Sequence, residues 1–499
     1  MELMVDQDIQ KRLLDIGLAL TKETDYDRLL DKIITGARDI THCDGGTLYL
    51  LRDNQLHYKI MQTKSLNIYV GSDGAPVTIK PLELEKDNVS SYCAITTEIS
   101  NIEDVYHSDL FDFSGPKKFD KENAYKTKSM LVCPLISRQR KVLGVIQLIN
   151  ATASDGQLIP FDKRYESIIE SMASQAGILI ENMQYIYEIR QLFESFVQVI
   201  ATTIDERTPY NTKHSENMSV IISSFARYLD QLESGPYEEV HFSEADIYEL
   251  ETAAWLHDIG KIVVPLETLD KATRLAHRYE GLLCRHSLIA SKLECNYLRG
   301  LMEYSPIEKF RLKDRFDEDM KKLSEVIALV EEVNQPSFIM DGKTLTRLKN
   351  MHESRIDNID ELLITAEELE HLSIHKGTLS QSERKQIENH VDAGARILAK
   401  MQFPGYLSNI YEWIIKHHEF MDGSGYSHGY KADELPLEAR MLTIADIYES
   451  LVVGNRPYKK AFSREKSLRI LISMAEEGKL DPELVDAFLR SGLWENFDL

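Results

Sequence analysis

Three segments of this sequence carry residue types that could do chemistry together. The first is AAWLHDIGKIVVP at 253–265, where His257 and Asp258 stand side by side at the end of an apolar helical run, with Gly260 and Lys261 next. An imidazole and a carboxylate can both ligate a metal ion if the helix opens there, and the carboxylate can bridge two ions because it has two oxygens. Taken alone, such a dipeptide is an ordinary polar helix end. The second segment, IIKHHEFMDGSGYSHG at 414–429, changes that reading: His417 and His418 are consecutive after an apolar stretch, and Asp422, Gly423, Ser424, Gly425 and Tyr426 follow. Two neighbouring imidazoles are a poor way to build a core and a reasonable way to hold metal. The third, LTIADIYESL at 442–451, sets Asp446 in an otherwise apolar helix. An isolated buried carboxylate is disfavoured unless it is paired or coordinates a cation. A metal held by His257 and Asp258 would supply that positive partner.

The elements that must position these residues lie in a chain of 499 residues, 43% hydrophobic, long enough for about two to four domains with sizeable cores. Histidine usage shifts along it, with three before residue 200 and twelve after. The balance of 81 Asp+Glu against 58 Lys+Arg, a net charge of −23, argues against duplex nucleic acid as a partner, since that binding needs cationic neutralisation of phosphates. An anionic ligand would need a local cation, and a metal cluster is one candidate. Cys43, Cys93, Cys133, Cys284 and Cys295 form no C-x-x-C pair, so neither a disulfide framework nor a thiolate zinc site is expected. MELMVDQDIQ lacks the basic flank and apolar run of a signal peptide, and no apolar stretch reaches about 18 residues, so a cytoplasmic protein without membrane insertion is expected.

The first 160 residues alternate helical and strand patterns. Residues 9–41 keep a helical period, TLYLL at 47–51 and LHYKIM at 56–61 flank the turn residues Asp53-Asn54, and SMLVCPLI at 129–136 and VLGVIQLIN at 142–150 flank RQRK. This predicts an α+β domain with an antiparallel sheet and helices. The SMLVCPL and VLGVIQLINA strands, followed by Phe161-Asp162 opening a helix, resemble a GAF domain, the small sensory module of signalling proteins, over roughly residues 10–182. The resemblance implies a sensor domain at 1–182 with an unidentified small-molecule ligand. From Phe161 to Thr208 there is no proline and a single glycine, and positions 172, 176, 179, 183, 186, 190, 193, 197 and 200 keep 4-3 spacing, broken by Arg190. A linking helix at 165–205 is expected, fitting either a coiled-coil seam in a homodimer or a helix packed along its own domain.

The HD dyad with its trailing lysine, the HHE..DGSGY segment, the IADIYESL helix and the NRPY after it resemble the HD-GYP family of cyclic dinucleotide phosphodiesterases over about 260 residues, roughly 200–465. That implies an all-α catalytic domain at 200–499 with a helical insertion at about 287–374. The family's Gly-Tyr-Pro reads Gly425-Tyr426-Ser427, a change expected to alter loop rigidity more than chemistry. The resemblance also implies one more ligand histidine between dyad and pair. His286 and His390 both offer themselves, and His390 matches better because LSQSER precedes it and an AG..IL pattern follows. In IDERTPYNTKHSENM at 204–218, His214 is a further candidate. The carboxylate that three-metal relatives place four residues earlier is here Tyr210, a weak ligand with a pKa of ~10, which favours two metals with His214 peripheral or ligating weakly.

On this resemblance His257, Asp258, His390, His417, His418 and Asp446 hold two divalent ions, with Asp258 bridging, and His214 and His286 stand as additional candidates. Lys261 is the expected catalytic cation beside Asp258. Lys261, Arg396, Gly425 and Tyr426 are expected to bind substrate, and Arg456 and Tyr458 to support the loop. Histidine and carboxylate ligands suit iron, manganese, cobalt or zinc, and the resemblance favours iron or manganese. The implied reaction is hydrolysis of cyclic di-GMP or a related cyclic dinucleotide to the linear dinucleotide, or onward to GMP. The alternatives are a degenerate relative that binds without cleaving and an HD hydrolase for another substrate.

Overall fold

The helical period at the start of the chain resolves into two helices, α1 (Glu2–Thr21) and α2 (Tyr26–Thr41). Asp25 breaks the continuity: its backbone is extended and its carboxylate accepts the Arg28 amide at 2.8 Å, satisfying one of the donors left open at a helix start. The computed structural model describes residues 2–23, 25–72, 74–207, 212–453 and 461–496, and divides into two units, Met1–Leu192 and Phe193–Leu499. No helix among the described residues is long and apolar enough to cross a membrane.

The first unit is built on strands β1 (Cys43–Arg52), β2 (Gln55–Thr63), β3 (Ile68–Val70), β4 (Leu82–Glu83), β5 (Ser100–Ile102), β6 (Met130–Ile136), β7 (Val142–Thr152) and β8 (Leu158–Ile159), with α3 (Val89–Thr96) and α4 (Ser114–Asn123) in the connections. They form one antiparallel sheet in the order β3-β2-β1-β7-β6-β5, β4 adding to β2 and β8 to β7. The central strands are near-continuous apolar runs because both faces are covered. Leu48, Leu131, Ile146 and Leu148 pack with Ile33 and Ile34 of α2 and with Met172 and Ala176 of α5 (Arg164–Asp205), while Tyr49, Val132 and Val145 pack with Val89 and Cys93 of α3 on the other face.

Helix α5 runs unbroken for 42 residues, and its exposed apolar row differs from the expected seam. Met172 and Ala176 are consumed by the first unit's core and Val197 by the second's, whereas Ile186, Arg190 and Ile200 are exposed. Tyr185, Ile189, Leu192, Phe196 and Val199 are the exposed apolar residues at 4-3 spacing, one position off the expected row.

The second unit continues with α6 (His214–Asp230), α7 (Glu244–Leu256), a 3-10 turn (Ile259–Val263) and α8 (Leu266–Leu269). After an inserted group, α9 (Arg278–Glu303), α10 (Pro306–Val333), α11 (Gly342–Glu353) and α12 (Ala366–Leu372), come α13 (Gln381–Glu388), α14 (His390–Leu398), α15 (Ile410–Lys416) and α16 (Leu437–Val452). Phe225, Leu250, Ile414, Leu442 and Tyr448 belong to the main core. The insertion has its own core, and Leu275 and Leu282 already belong to it, so it begins earlier than the expected 287. Its neck is tied by the buried Arg274, which donates to the carbonyls of Phe338, Leu372 and Gly377, and by Lys271, whose ammonium lies 2.7 Å from Glu383 and 3.1 Å from His371 Nδ1.

Candidate metal centre

Helix ends bring the histidines together. α7, started by a Ser243–Asp246 capping box, stops at His257, and Asp258 leaves helical geometry (φ −97°, ψ 9°) to lead the 3-10 turn. The helix therefore opens where the dyad needs it to. That turn rests on α14 through Gly260, where an added Cβ would lie 1.7 Å from the His390 carbonyl oxygen. Only glycine permits this approach, and it sets Asp258 beside His390 at the start of α14. α15 ends at His417, whose carbonyl accepts the Thr443 hydroxyl at 2.8 Å, fastening the histidine pair to α16 one turn from Asp446. His214 opens α6.

The ring orientations are defined by a repeated contact. The Nδ1–H groups of His257, His390 and His417 donate to the carbonyls of Ala254, Ile387 and Ile414 at 2.6, 2.6 and 2.5 Å, each three residues back. A carbonyl only accepts, so the proton sits on Nδ1 and the Nε2 lone pair is left open. His390 Nε2, His417 Nε2 and Asp258 Oδ1 are buried without a hydrogen-bond partner among the described residues, a costly arrangement unless something else binds them.

Two groups of ligand atoms result, Asp258 with His390, His417 and His418, and Asp258 with His214 and His257, the atoms of each lying within 4.8 Å of one another. Asp258 belongs to both. Its Oδ2 is 3.2 Å from His257 Nε2 and 3.3 Å from His214 Nε2, and its Oδ1 is 3.3 Å from His390 Nε2. His214 Nε2 and His257 Nε2 are 3.0 Å apart. Two nitrogens each ~2.1 Å from one ion and at right angles would be separated by about 3.0 Å. The donor set fits divalent ions. Asp446 reaches both groups, 3.5 Å from His214 Nε2 and 3.6 Å from His418 Nδ1.

Charge follows burial and neighbours. Burial first, then the adjacent imidazoles, pushes His417 down to about 3 and holds His418 well below the usual imidazole range, so both are neutral. Burial opposes ionisation of Asp258, but the Lys261 ammonium, which pairs with Oδ2, and His257 hold it well below the usual carboxylate range. His214 goes the other way: burial disfavours its charge, yet Glu449 and Asp258 outweigh it and raise the imidazole well above its ordinary value. Glu449 Oε2 lies 2.6 Å from His214 Nδ1, and its Oε1 accepts the Asn217 amide at 2.9 Å.

These groups border a cavity of about 430 Å³ whose wall includes His214, Lys261, His390, His418, Tyr426, Asp446 and Glu449, together with Thr268, Lys271, Thr378 and Leu379 from the insertion neck. The Tyr426 ring lies 4.7 Å from that of His418. Gly425 allows the loop to press on its own base, since an added Cβ would sit 2.5 Å from Glu419 Cα. His214, expected to be peripheral or weakly ligating, groups with His257 and Asp258, its Nδ1 held by Glu449. His286 joins neither group; it is buried in the insertion, with Nε2 2.7 Å from the Leu363 carbonyl oxygen. Arg396 is exposed on α14 and is not among the described residues lining the cavity. Tyr210, Arg456 and Tyr458 lie outside the described residues. Sequence reasoning missed Glu449, although a carboxylate three residues after Asp446 shares its helix face.

A second cavity, about 230 Å³, lies in the first unit between the sheet and helices α3 and α4, lined by Tyr49, Tyr58, Asn88, Phe113 and Gln147 among others. Gln147 Oε1 accepts the Ser90 hydroxyl at 2.7 Å and the Tyr49 hydroxyl at 3.2 Å. No Lys, Arg or His stands among the described residues lining it.

Residues 25–180 match the GAF domain family and residues 362–484 the HD domain family. Over 115 residues the chain is 36% identical to a cyclic di-GMP phosphodiesterase response regulator of Xanthomonas campestris pv. campestris, covering 23% of this chain and 29% of that protein. It is also 36% identical over 115 residues to a cyclic di-GMP phosphodiesterase of Thermotoga maritima, with 23% and 30% covered. A 3'3'-cGAMP-specific phosphodiesterase of Vibrio cholerae is 33% identical over 119 residues, with 24% and 27% covered. The chain thus spans less than a third of the length of each of these relatives. The HD match contains His390, His417, His418 and Asp446 but begins inside the insertion, which separates it from the His257–Asp258 dyad. The chain carries a GAF domain in its first unit and an HD domain in its second.

Proposed function

We propose that the second unit is a metal-dependent phosphodiesterase that opens a cyclic dinucleotide, cyclic di-GMP or a close relative, to the linear dinucleotide under control of the GAF domain. The observation that carries this reading is the convergence of His390 Nε2, His417 Nε2 and Asp258 Oδ1, buried and without hydrogen-bond partners among the described residues, beside a cavity. Likeness to phosphodiesterases of cyclic dinucleotides supports the substrate class. His214, His257 and Asp258 Oδ2 would hold one ion, and His390, His417, His418 and Asp258 Oδ1 a second, with Asp446 reaching both sets; iron or manganese is assigned to them. Bound there, the ions would supply Lewis-acid activation of the phosphodiester and of the attacking water.

The remaining work falls to side chains of this chain. Lys261, on the cavity wall against Asp258, places an ammonium where charge develops on a phosphate oxygen. Glu449 holds His214 Nδ1 and thereby aims Nε2 into the cluster. Burial raises the Tyr426 phenol, which stays protonated and able to donate a hydrogen bond to substrate. The test is turnover of cyclic di-GMP by protein loaded with iron or manganese. Linear product is expected, and dinucleotide binding without cleavage would contradict the reading.

The cavity between the sheet and α3 and α4 is assigned to a small molecule that carries no phosphate, because its described lining offers hydroxyls, amides and the Asp112 carboxylate but no cation for an anion. Calorimetric titration with cyclic GMP is expected to give no binding heat that Gln147→Ala removes; saturable binding abolished by Gln147→Ala would overturn the assignment.

A further inference from the structure

The last residue of α5 and the turn just after it are hydrogen-bonded to the two segments that carry His214 and Asp258. Asp205, the final residue of α5, is buried, and its Oδ2 accepts the Ser215 amide at 3.0 Å, in the first turn of α6 and next to His214. Arg207 donates one guanidinium nitrogen to the Lys261 carbonyl and the other to the Val264 carbonyl, the latter at 2.9 Å. Those carbonyls belong to the turn that follows Asp258. A planar guanidinium that spans two carbonyls fixes both the position and the orientation of a turn, which a single flexible ammonium cannot do. His214 and Asp258, with Nε2 and Oδ2 3.3 Å apart, come from segments joined by no shared element. Asp205 and Arg207, two residues apart, bridge those segments.

We infer that Asp205 and Arg207 are positioning residues: the end of α5 sets the separation between His214 and the Asp258–Lys261 turn. This rests on the proposed phosphodiesterase reading of the second unit. A misplacement of about 1 Å among reacting groups can cost ~10²-fold in rate, so the expected loss is roughly 10- to 100-fold in kcat.

The experiment uses the full chain loaded with Mn²⁺ and compares Arg207→Ala, Arg207→Lys, Asp205→Ala and Asp205→Asn for kcat, KM, metal stoichiometry, the Mn²⁺ EPR spectrum and the unfolding temperature. Both alanine variants are expected to lower kcat with KM little changed and to alter the EPR spectrum. Asp205→Asn keeps an acceptor for the Ser215 amide and is expected to restore both readouts, whereas Arg207→Lys stays impaired because an ammonium cannot span the two carbonyls. Wild-type kcat and EPR spectrum in Arg207→Ala, or full recovery in Arg207→Lys, would overturn the inference. An Asp205→Asn variant that folds but fails to recover would do the same. If wild-type protein binds Mn²⁺ but cleaves no dinucleotide, the functional reading fails, and the EPR comparison still decides the positioning roles.

Discussion

Three imidazoles that donate Nδ1 to the carbonyl three residues behind them decide much of the chemistry, because each keeps its Nε2 for one of the two ligand groups that share Asp258. Removing either kind of donor breaks the set: Asp258→Asn and His417→Ala are each expected to weaken metal binding by at least ~10–100-fold, measured by equilibrium dialysis and elemental analysis. The titrating histidines also predict a pH profile for the metal-free protein. His417, neutral in the fold down to about 3, would take up its proton near pH 6.5 once unfolded, so its contribution is complete above ~6.5 and is lost as pH falls toward 3. His214, raised well above its ordinary value, contributes fully below ~6.5 and loses that contribution as pH rises through its folded value. Chelated protein should therefore be most stable near pH ~6.5. A melting temperature that climbs steadily into alkaline pH would contradict this. Adjacent residues such as His257-Asp258 and His417-His418 were legible in the sequence because their proximity is covalent. Glu449 was missed, and His214 was left as peripheral or weakly ligating, because their contact spans 235 positions, which no local pattern records.

Among the elements, the 3-10 turn and α14 pack backbone to backbone through Gly260. Gly260→Ala must push them apart, and a destabilisation of about 1–3 kcal/mol is expected, read from urea unfolding, together with loss of bound metal. Unchanged stability would mean that the turn relaxes freely. The strands around residues 47–61 and 129–150 were readable because apolar runs bounded by turn residues leave few alternatives for a buried sheet. Two features were not. The helical period over 9–41 hides the Asp25 break, since a cap costs the pattern little. The insertion's beginning at Leu275 is also hidden, because a residue that leaves one core for another stays apolar.

For the whole molecule, the apolar row Tyr185, Ile189, Leu192, Phe196 and Val199 is left exposed along α5 at the spacing of a two-stranded seam, which supports a homodimer. Sedimentation of the full chain is expected to show a dimer that Ile189→Glu with Phe196→Glu converts to monomer; dimers that survive both substitutions would place the interface elsewhere. The exposed apolar row lies one position from the expected seam because spacing alone does not say which apolar residues each unit's core consumes. The net charge of −23 also acquires a local meaning: the carboxylates of Asp258, Asp446 and Glu449 are gathered where cations are proposed to reverse the sign for an anionic substrate. The most direct test of that claim is to reconstitute the chain with Fe²⁺ or Mn²⁺, add cyclic di-GMP, and follow products by chromatography. The account predicts metal-dependent appearance of the linear dinucleotide, absent in Asp258→Asn. Protein that binds both metal and dinucleotide yet yields no linear product would contradict it.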